Sequence, residues 1–236
     1  MFSEKLCSVR IASAFLMLLF GGPAHSQSVD VTAQVEMTRA NQQKAVHDQS
    51  SGVVIWLDPV SQNVSAAKPG HFRLEQKDKS FHPHLLVVPL GSLVDFPNLD
   101  PFFHNVFSQF NGKRFDLGLY EEGSNRTVRF DHEGVSYIFC NIHPQMSAVI
   151  ISLSTPYFAI SSPKGVLVLH DVPPATYEMH MWAEGVDAKQ LSALTRRVEI
   201  GSSQTNLGSF QLVENGVPAH KNKYGQDYFP DRQATY

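Results

Sequence analysis

The chain has 236 residues, 42% hydrophobic and 17% charged, with 19 Lys and Arg against 22 Asp and Glu for a formal net charge of −3. This composition can bury a core and is too apolar for a disordered chain, and the length allows one large or two small domains. The near-neutral balance leaves no basic footprint for nucleic acid and no polybasic anchor for a membrane surface.

Residues 1–26 read as a signal peptide: Lys5 and Arg10 make a positive start, 11–20 is a short apolar run, and Ala24-His25-Ser26 offers a small-x-small cleavage pattern. The mature chain is therefore expected to begin near Gln27 and to reside in the periplasm. The apolar run is shorter than the ~20 residues a spanning helix needs, so no membrane span is expected in the mature chain. Cys7 precedes that run, which leaves Cys140 as the one cysteine of the mature protein. Such a thiol has no internal disulfide partner and is open to oxidation in an oxidising compartment. It is either buried and inert or held as a metal thiolate.

Beyond residue 27 nearly everything reads as β. Residues 29–37 alternate, with Val29, Val31, Ala33, Val35 and Met37 on one face. Residues 53–57 form an apolar run that fits a buried strand. Further strands are expected at 85–90, 93–96, 127–130, 136–140, 148–153, 157–160, 166–169, 177–182, 197–200 and 207–212. Most are separated by turn signals such as Pro97-Asn98 and Glu133-Gly134. Residues 188–194 are the one plausible helix, 38–52 and 61–70 read as loops, and 214–236 reads as a polar tail with its His220 and tyrosines in solvent. Many short strands at this spacing predict an all-β chain of sandwiches or barrels.

Chemistry concentrates in Cys140-Asn141-Ile142-His143-Pro144-Gln145-Met146. A thiolate, an imidazole and a thioether at steps of three are the soft to borderline donors that suit copper in a His₂Cys set with a weak axial Met. Zinc has little use for a thioether. The second imidazole has a candidate in His104, within Phe102-Phe103-His104-Asn105-Val106. Cys140 and His143 lie on one loop, whereas Cys-His hydrolases bring nucleophile and base from distant segments. No Cys-x-x-Cys-His or glycine-rich phosphate loop is present. His82 and His84 share a strand face and are weighed as a second metal site against an ordinary surface role. His47, His71, His132, His170 and His180 read as ordinary.

These two segments together resemble the cupredoxin family of blue copper proteins, which includes plastocyanin, pseudoazurin and amicyanin. The spacing from His143 to Met146, with Pro144 after the histidine, is most similar to amicyanin. Phe81-His82-Pro83, Gly91, Val94 and Phe96-Pro97-Asn98 run like that family's approach to its first histidine. The resemblance, over 72–154, implies a Greek-key β-sandwich holding one type 1 copper ion on His104, Cys140, His143 and Met146. It further implies that Asn105 ties the two ligand loops, that Phe139 lies near an electron path or simply packs, and that Pro144, with Pro101 or Phe102, borders a docking patch at His143.

Asp171-Val172-Pro173-Pro174-Ala175-Thr176-Tyr177 resembles the transthyretin-like regulatory sandwich of carboxypeptidases, with Ala175 where a Gly is usual. The expected organisation is a signal peptide at 1–26, the first strands of this sandwich at 27–65, a cupredoxin domain at 70–154 inserted into it, the remainder of the sandwich at 156–213, and a tail at 214–236; the simpler alternative is three consecutive pieces. The arrangement is similar to bacterial exported proteins labelled methylamine-utilisation proteins. The expected function is a non-enzymatic periplasmic electron carrier working with a redox partner, a cytochrome or a dehydrogenase. The alternatives are a copper- or carbohydrate-binding envelope module, or a metal-free structural cupredoxin.

Overall fold

A computed structural model describes residues 28–40, 52–61, 66–109, 112–217 and 219–228. The signal-peptide segment, Cys7, His47 and residues 229–236 lie outside the described residues. In chain order the strands are β1 (Val29–Arg39), β2 (Val54–Pro59), β3 (His71–Arg73), β4 (Glu75–Lys77), β5 (Ser80–His82) and β6 (Leu85–Pro89). Then come β7 (Ser92–Pro97), β8 (His104–Ser108), β9 (Phe115–Tyr120), β10 (Asn125–Phe130), β11 (Gly134–Phe139) and β12 (Ser147–Leu153). The last are β13 (Phe158–Ile160), β14 (Val166–Val172), β15 (Ala175–Trp182), β16 (Arg196–Ile200) and β17 (Thr205–Glu214). The helix α1 (Ala188–Leu194) precedes β16, and its first turn is capped by the Asp187 carboxylate, which accepts from Lys189 N at 2.7 Å. The chain is thus nearly all β.

Strands from the two ends of the chain share sheets. β1 lies between β14 and β17, and β2 between β13 and β15, with β16 at the edge. Val31, Ala33, Val35 and Met37 point from β1 into a core with Ile55 and Leu57 of β2 and Met179 and Met181 of β15. The period-two pattern of β1 is therefore the direct cause of its one-sided burial. Tyr177 is fully buried in the same core, and its hydroxyl donates to Pro173 O at 2.8 Å, fixing the Pro-Pro turn that feeds β15.

The middle of the chain builds a second pair of layers. One is the sheet β10-β7-β3 and the other β6-β12-β11-β8-β9, and Val94, Phe96, Val106, Phe130, Ile138 and Ile150 fill the space between. The apolar run of β12 is buried on both faces. Ala148 and Ile150 enter this inner core, while Val149, Ile151 and Leu153 pack outward against Val54 and Trp182 of the first sandwich. That double burial explains why β12 reads as a continuous apolar run and not as an alternation.

Several strands escape the sequence reading, among them β3, β4, β5 and β9. β3, β4 and β5 are three-residue pieces of mostly polar sequence, and β9 carries Gly118 at positive φ opposite a register shift in β8. β4 and β5 are joined by Asp78 and Lys79, both at positive φ (54° and 53°). A two-residue hairpin turn of this hand favours Asn-Gly, so the side chains present give no turn signal.

Candidate metal centre

The site sits where two sheet connections meet. β8 and β11 are antiparallel neighbours with Phe107 opposite Phe139, which brings the first residue of β8, His104, level with the loop that follows Phe139. That loop, residues 140–146, joins β11 to β12 and is closed by Cys140 N donating to Met146 O (3.3 Å) and Met146 N donating to His143 O (3.0 Å). Anchored at both ends by paired strands, it has little freedom to move its side chains.

His104, Cys140 and His143 converge. Cys140 Sγ lies 3.8 Å from His104 Nδ1 and 3.7 Å from His143 Nδ1, and the two nitrogens are 3.1 Å apart. Among the described residues this is the one group of three or more His, Cys, Asp or Glu whose donor atoms come together, all within 4.8 Å. His104 and Cys140 are fully buried and His143 is half-buried. Cys140 is a free thiol. Met146 is fully buried in the same cluster as Cys140.

The ring nitrogens and the sulfur face a common point. His104 Nε2 donates to Asp100 Oδ2 at 2.8 Å, so its Nδ1 is the free nitrogen. Burial pulls the His104 pKa down against the pull of Asp100. Burial, with the charges of His104 and Lys79, lowers His143 to about 4. Both rings are thus neutral at physiological pH. Burial pushes the Cys140 thiol up, opposed by the backbone N–H groups of Asn105, Ile142 and His143. Three donor atoms therefore face one another at 3.1–3.8 Å, close enough to share a proton or to surround a cation. A metal ion about 2.0 Å from nitrogen and about 2.3 Å from sulfur spans separations of this size. The donor set therefore fits a soft or borderline metal.

Asp100 is the residue that sequence reasoning missed. It is nearly buried, and its carboxylate accepts from Asp78 N (2.6 Å) and Lys79 N (2.9 Å) as well as from His104. Burial opposes its ionisation, but the N–H groups of Lys79 and Asp78 and the His104 ring together hold the carboxyl below the usual range. One side chain thereby fixes both the strained β4–β5 turn and the tautomer of a candidate ligand. The ring of Phe102 packs on both imidazoles, 5.2 Å from His104 and 5.6 Å from His143 between centroids. Lys79 Nζ lies over that ring at 5.1 Å.

The supporting residues behave unevenly. The Asn105 side chain does not tie the ligand loops together. Its Nδ2 donates sideways to Asp116 Oδ1 (2.7 Å) and Gly118 O (2.9 Å) of β9, and its backbone N–H reaches the Cys140 sulfur. A register shift between β8 and β9 falls at this residue. Phe139 packs between Phe107 and the ring of His220, whose centroid is 4.1 Å away. Pro144 is exposed, and its carbonyl accepts from His220 Nε2 at 2.7 Å. The tail expected in solvent therefore docks on the ligand loop across residues 219–228. It carried no periodicity to announce this, because its contacts lie 76 to 114 residues back in the chain. His82 is exposed, while His84 bonds Ser147 O (3.0 Å) and Glu184 (2.6 Å). No helix among the described residues is long and apolar enough to cross a membrane.

No family model and no curated protein matches the chain. Among solved structures, part of the chain is similar to a copper-containing nitrite reductase from Thermus scotoductus SA-01 (24% identity, TM-score 0.34). That match covers 41% of this chain and a quarter (25%) of the reductase. A purple cupredoxin from Nitrosopumilus maritimus is similar over 34% of this chain and 98% of its own length (24% identity, TM-score 0.31). A Cu(I) amicyanin variant is similar over 42% of this chain and 98% of its own (14% identity, TM-score 0.33).

Proposed function

We propose that this protein binds one type 1 copper ion and carries single electrons between redox partners in the periplasm, without catalysing a reaction itself. The observation that carries the reading is the convergence of His104 Nδ1, Cys140 Sγ and His143 Nδ1, from two separated stretches, within one 4.8 Å cluster. His104, Cys140 and His143 would hold the ion, with the Met146 thioether as a weak fourth donor. Bound copper supplies the one-electron couple.

The chain's own residues supply the rest. Paired strands fix the donors, so the site changes little between oxidation states. Asp100 keeps the proton on His104 Nε2 and leaves Nδ1 to donate. Phe102 and the buried core around Met146 keep water out. A full set of protein donors leaves no open position for a substrate, which favours electron transfer over catalysis. His143 is the least buried of the three clustered donors and marks the side a cytochrome or dehydrogenase would approach, next to exposed Pro144.

We further read residues 70–154 as a copper domain inserted into a sandwich made by 27–65 and 156–213. The reading is supported by the pairing of β1 with β14 and β17 and of β2 with β13 and β15.

Titration of the purified protein with Cu(II) tests the reading. An intense thiolate-to-copper absorption band is expected, absent in Cys140→Ser, with reversible one-electron voltammetry. Absence of the band removes copper binding and leaves a structural module. A band with irreversible reduction or metal loss removes the carrier role and leaves a copper-binding module.

A further inference from the structure

The docked tail contacts the ligand loop and, through Asp116, the strand that bears His104. Lys223 N donates to Asn141 Oδ1 (3.0 Å), the Tyr228 hydroxyl donates to Cys140 O (2.7 Å), and His220 donates to Pro144 O while its ring stacks on Phe139 at an interplanar angle of 21°. These contacts grip the loop that bears Cys140 and His143 at Cys140, Asn141 and Pro144, and the end of β11 at Phe139. The Lys223 ammonium meanwhile pairs with Asp116 Oδ2 at 2.8 Å, and the other oxygen of Asp116 accepts from Asn105, the residue next to His104. Gln109, just beyond β8, donates to Lys223 O.

The segment is also built to hold its own shape. The Asn222 side chain, nearly buried, accepts from Tyr224 N (2.9 Å) and Gln226 N (3.1 Å), and Asn222 N donates to Gln226 O at 2.8 Å. A preformed turn loses less freedom on docking than a loose chain does. A polar tail resting on the surface by chance would not direct its three best-placed donors to Cys140, Asn141 and Pro144.

We propose that residues 219–228 are a clasp that holds the two ligand-bearing stretches together and controls exchange at the Cys140, His104 and His143 centre. Lys223 and Tyr228 are its positioning residues: neither touches the centre, and both act through the loop and through Asp116. With the clasp seated, the outer side of the Cys140 backbone is covered and the loop resists opening. Released, it lets the loop breathe, and both reagents and metal pass more readily. The proposal rests on the copper reading for the metal, but its first test needs none.

That test follows alkylation of Cys140 by N-ethylmaleimide in the metal-free, full-length protein, read by peptide mass so that Cys7 is scored separately. Tyr228→Phe, which keeps the ring and removes only the hydroxyl, should react up to about tenfold faster than wild type, the scale of one lost hydrogen bond. Tyr228→Phe combined with Lys223→Ala should react faster still. Val31→Ala, in the core of the other sandwich, sets the acceleration that general destabilisation alone produces. A double variant that reacts no faster than wild type, or no faster than Val31→Ala at matched melting temperature, overturns the clasp. In a second arm, release of Cu(II) to a chelator from loaded protein should accelerate in the same order as alkylation, and equal release rates overturn control of metal exchange. Should wild type bind no copper, the copper reading fails, while the alkylation arm still decides the clasp.

Discussion

Asp100→Asn is the sharpest probe of the site, because one carboxylate answers three donors. Its Oδ2 takes both His104 Nε2–H and Lys79 N–H, and its Oδ1 takes Asp78 N–H. Asn offers only one oxygen. Turned toward His104, its amide group meets the Asp78 N–H donor against donor. Turned the other way, it confronts His104. Either way at least one donor is orphaned, at a cost of about 1–3 kcal/mol in stability for each. The charge facing the imidazole is lost as well, so the ring becomes a poorer donor. Removing such support to a metal-binding histidine weakens affinity about 10- to 100-fold. Cu(II) gains most from a strong nitrogen donor. If the loss falls mainly on that state, the reduction potential rises by about 60–120 mV, since about 59 mV is tenfold for one electron. Chelator competition measures the first effect and voltammetry the second. Asp131→Asn, a charge change at an exposed residue paired with Lys113 and His132, should alter neither. A folded Asp100→Asn protein with wild-type Cu(II) affinity and potential would refute the role given to this carboxylate.

Three more outcomes are expected. In the metal-free protein, imidazole NMR signals should show His143 titrating near 4; titration at its ordinary value would mean that the ring is not held against His104 as described. The ring nitrogens of His84 both face acceptors, Glu184 and Ser147 O, and the Glu184 hydrogen bond raises its pKa despite partial burial. A raised folded pKa contributes stability that is present below the unfolded value of about 6.5 and lost as pH rises through the folded value. Glu184→Gln should therefore lower the melting temperature more at pH 6 than at pH 9. The pair is half in solvent, so the difference will be small; an equal effect at both pH values would remove the charge from the account. Ile150→Ala, fully buried between the two central layers, should cost about 2–5 kcal/mol in denaturant unfolding, and a loss under about 1 kcal/mol would mean that this core is loosely packed.

What the sequence makes legible here tracks how local the cause is. The Cys140–Met146 loop declares itself because a thiol, an imidazole and a thioether fall within seven residues, and β1 declares itself because each residue's side of the sheet follows from its neighbour's. β12 is legible as a strand but not as the seam between the two halves, since a continuous apolar run does not say what covers each face. Its outward residues Val149 and Ile151 meet Val54 and Trp182, one from each end of the chain.

Asp100 stands four residues before His104 and reads as an ordinary turn acid. Its meaning depends on the turn at Asp78 and Lys79, over twenty residues earlier, where the side chains present do not advertise a positive-φ hairpin. The clasp is the extreme case, with polar residues whose partners lie most of a domain away and a hydrogen-bonding pattern with no period to read. Both omissions concern polar side chains that support the ligands without being ligands. Hydrophobic burial is encoded redundantly along a strand, whereas a buried hydrogen bond is encoded by two residues only, and nothing in either one names the other. The centre's donors can therefore be read from local chemistry. The groups that would tune and guard it become visible only when the chain has folded and brought Asp100, Lys223 and Tyr228 to the frame around Cys140.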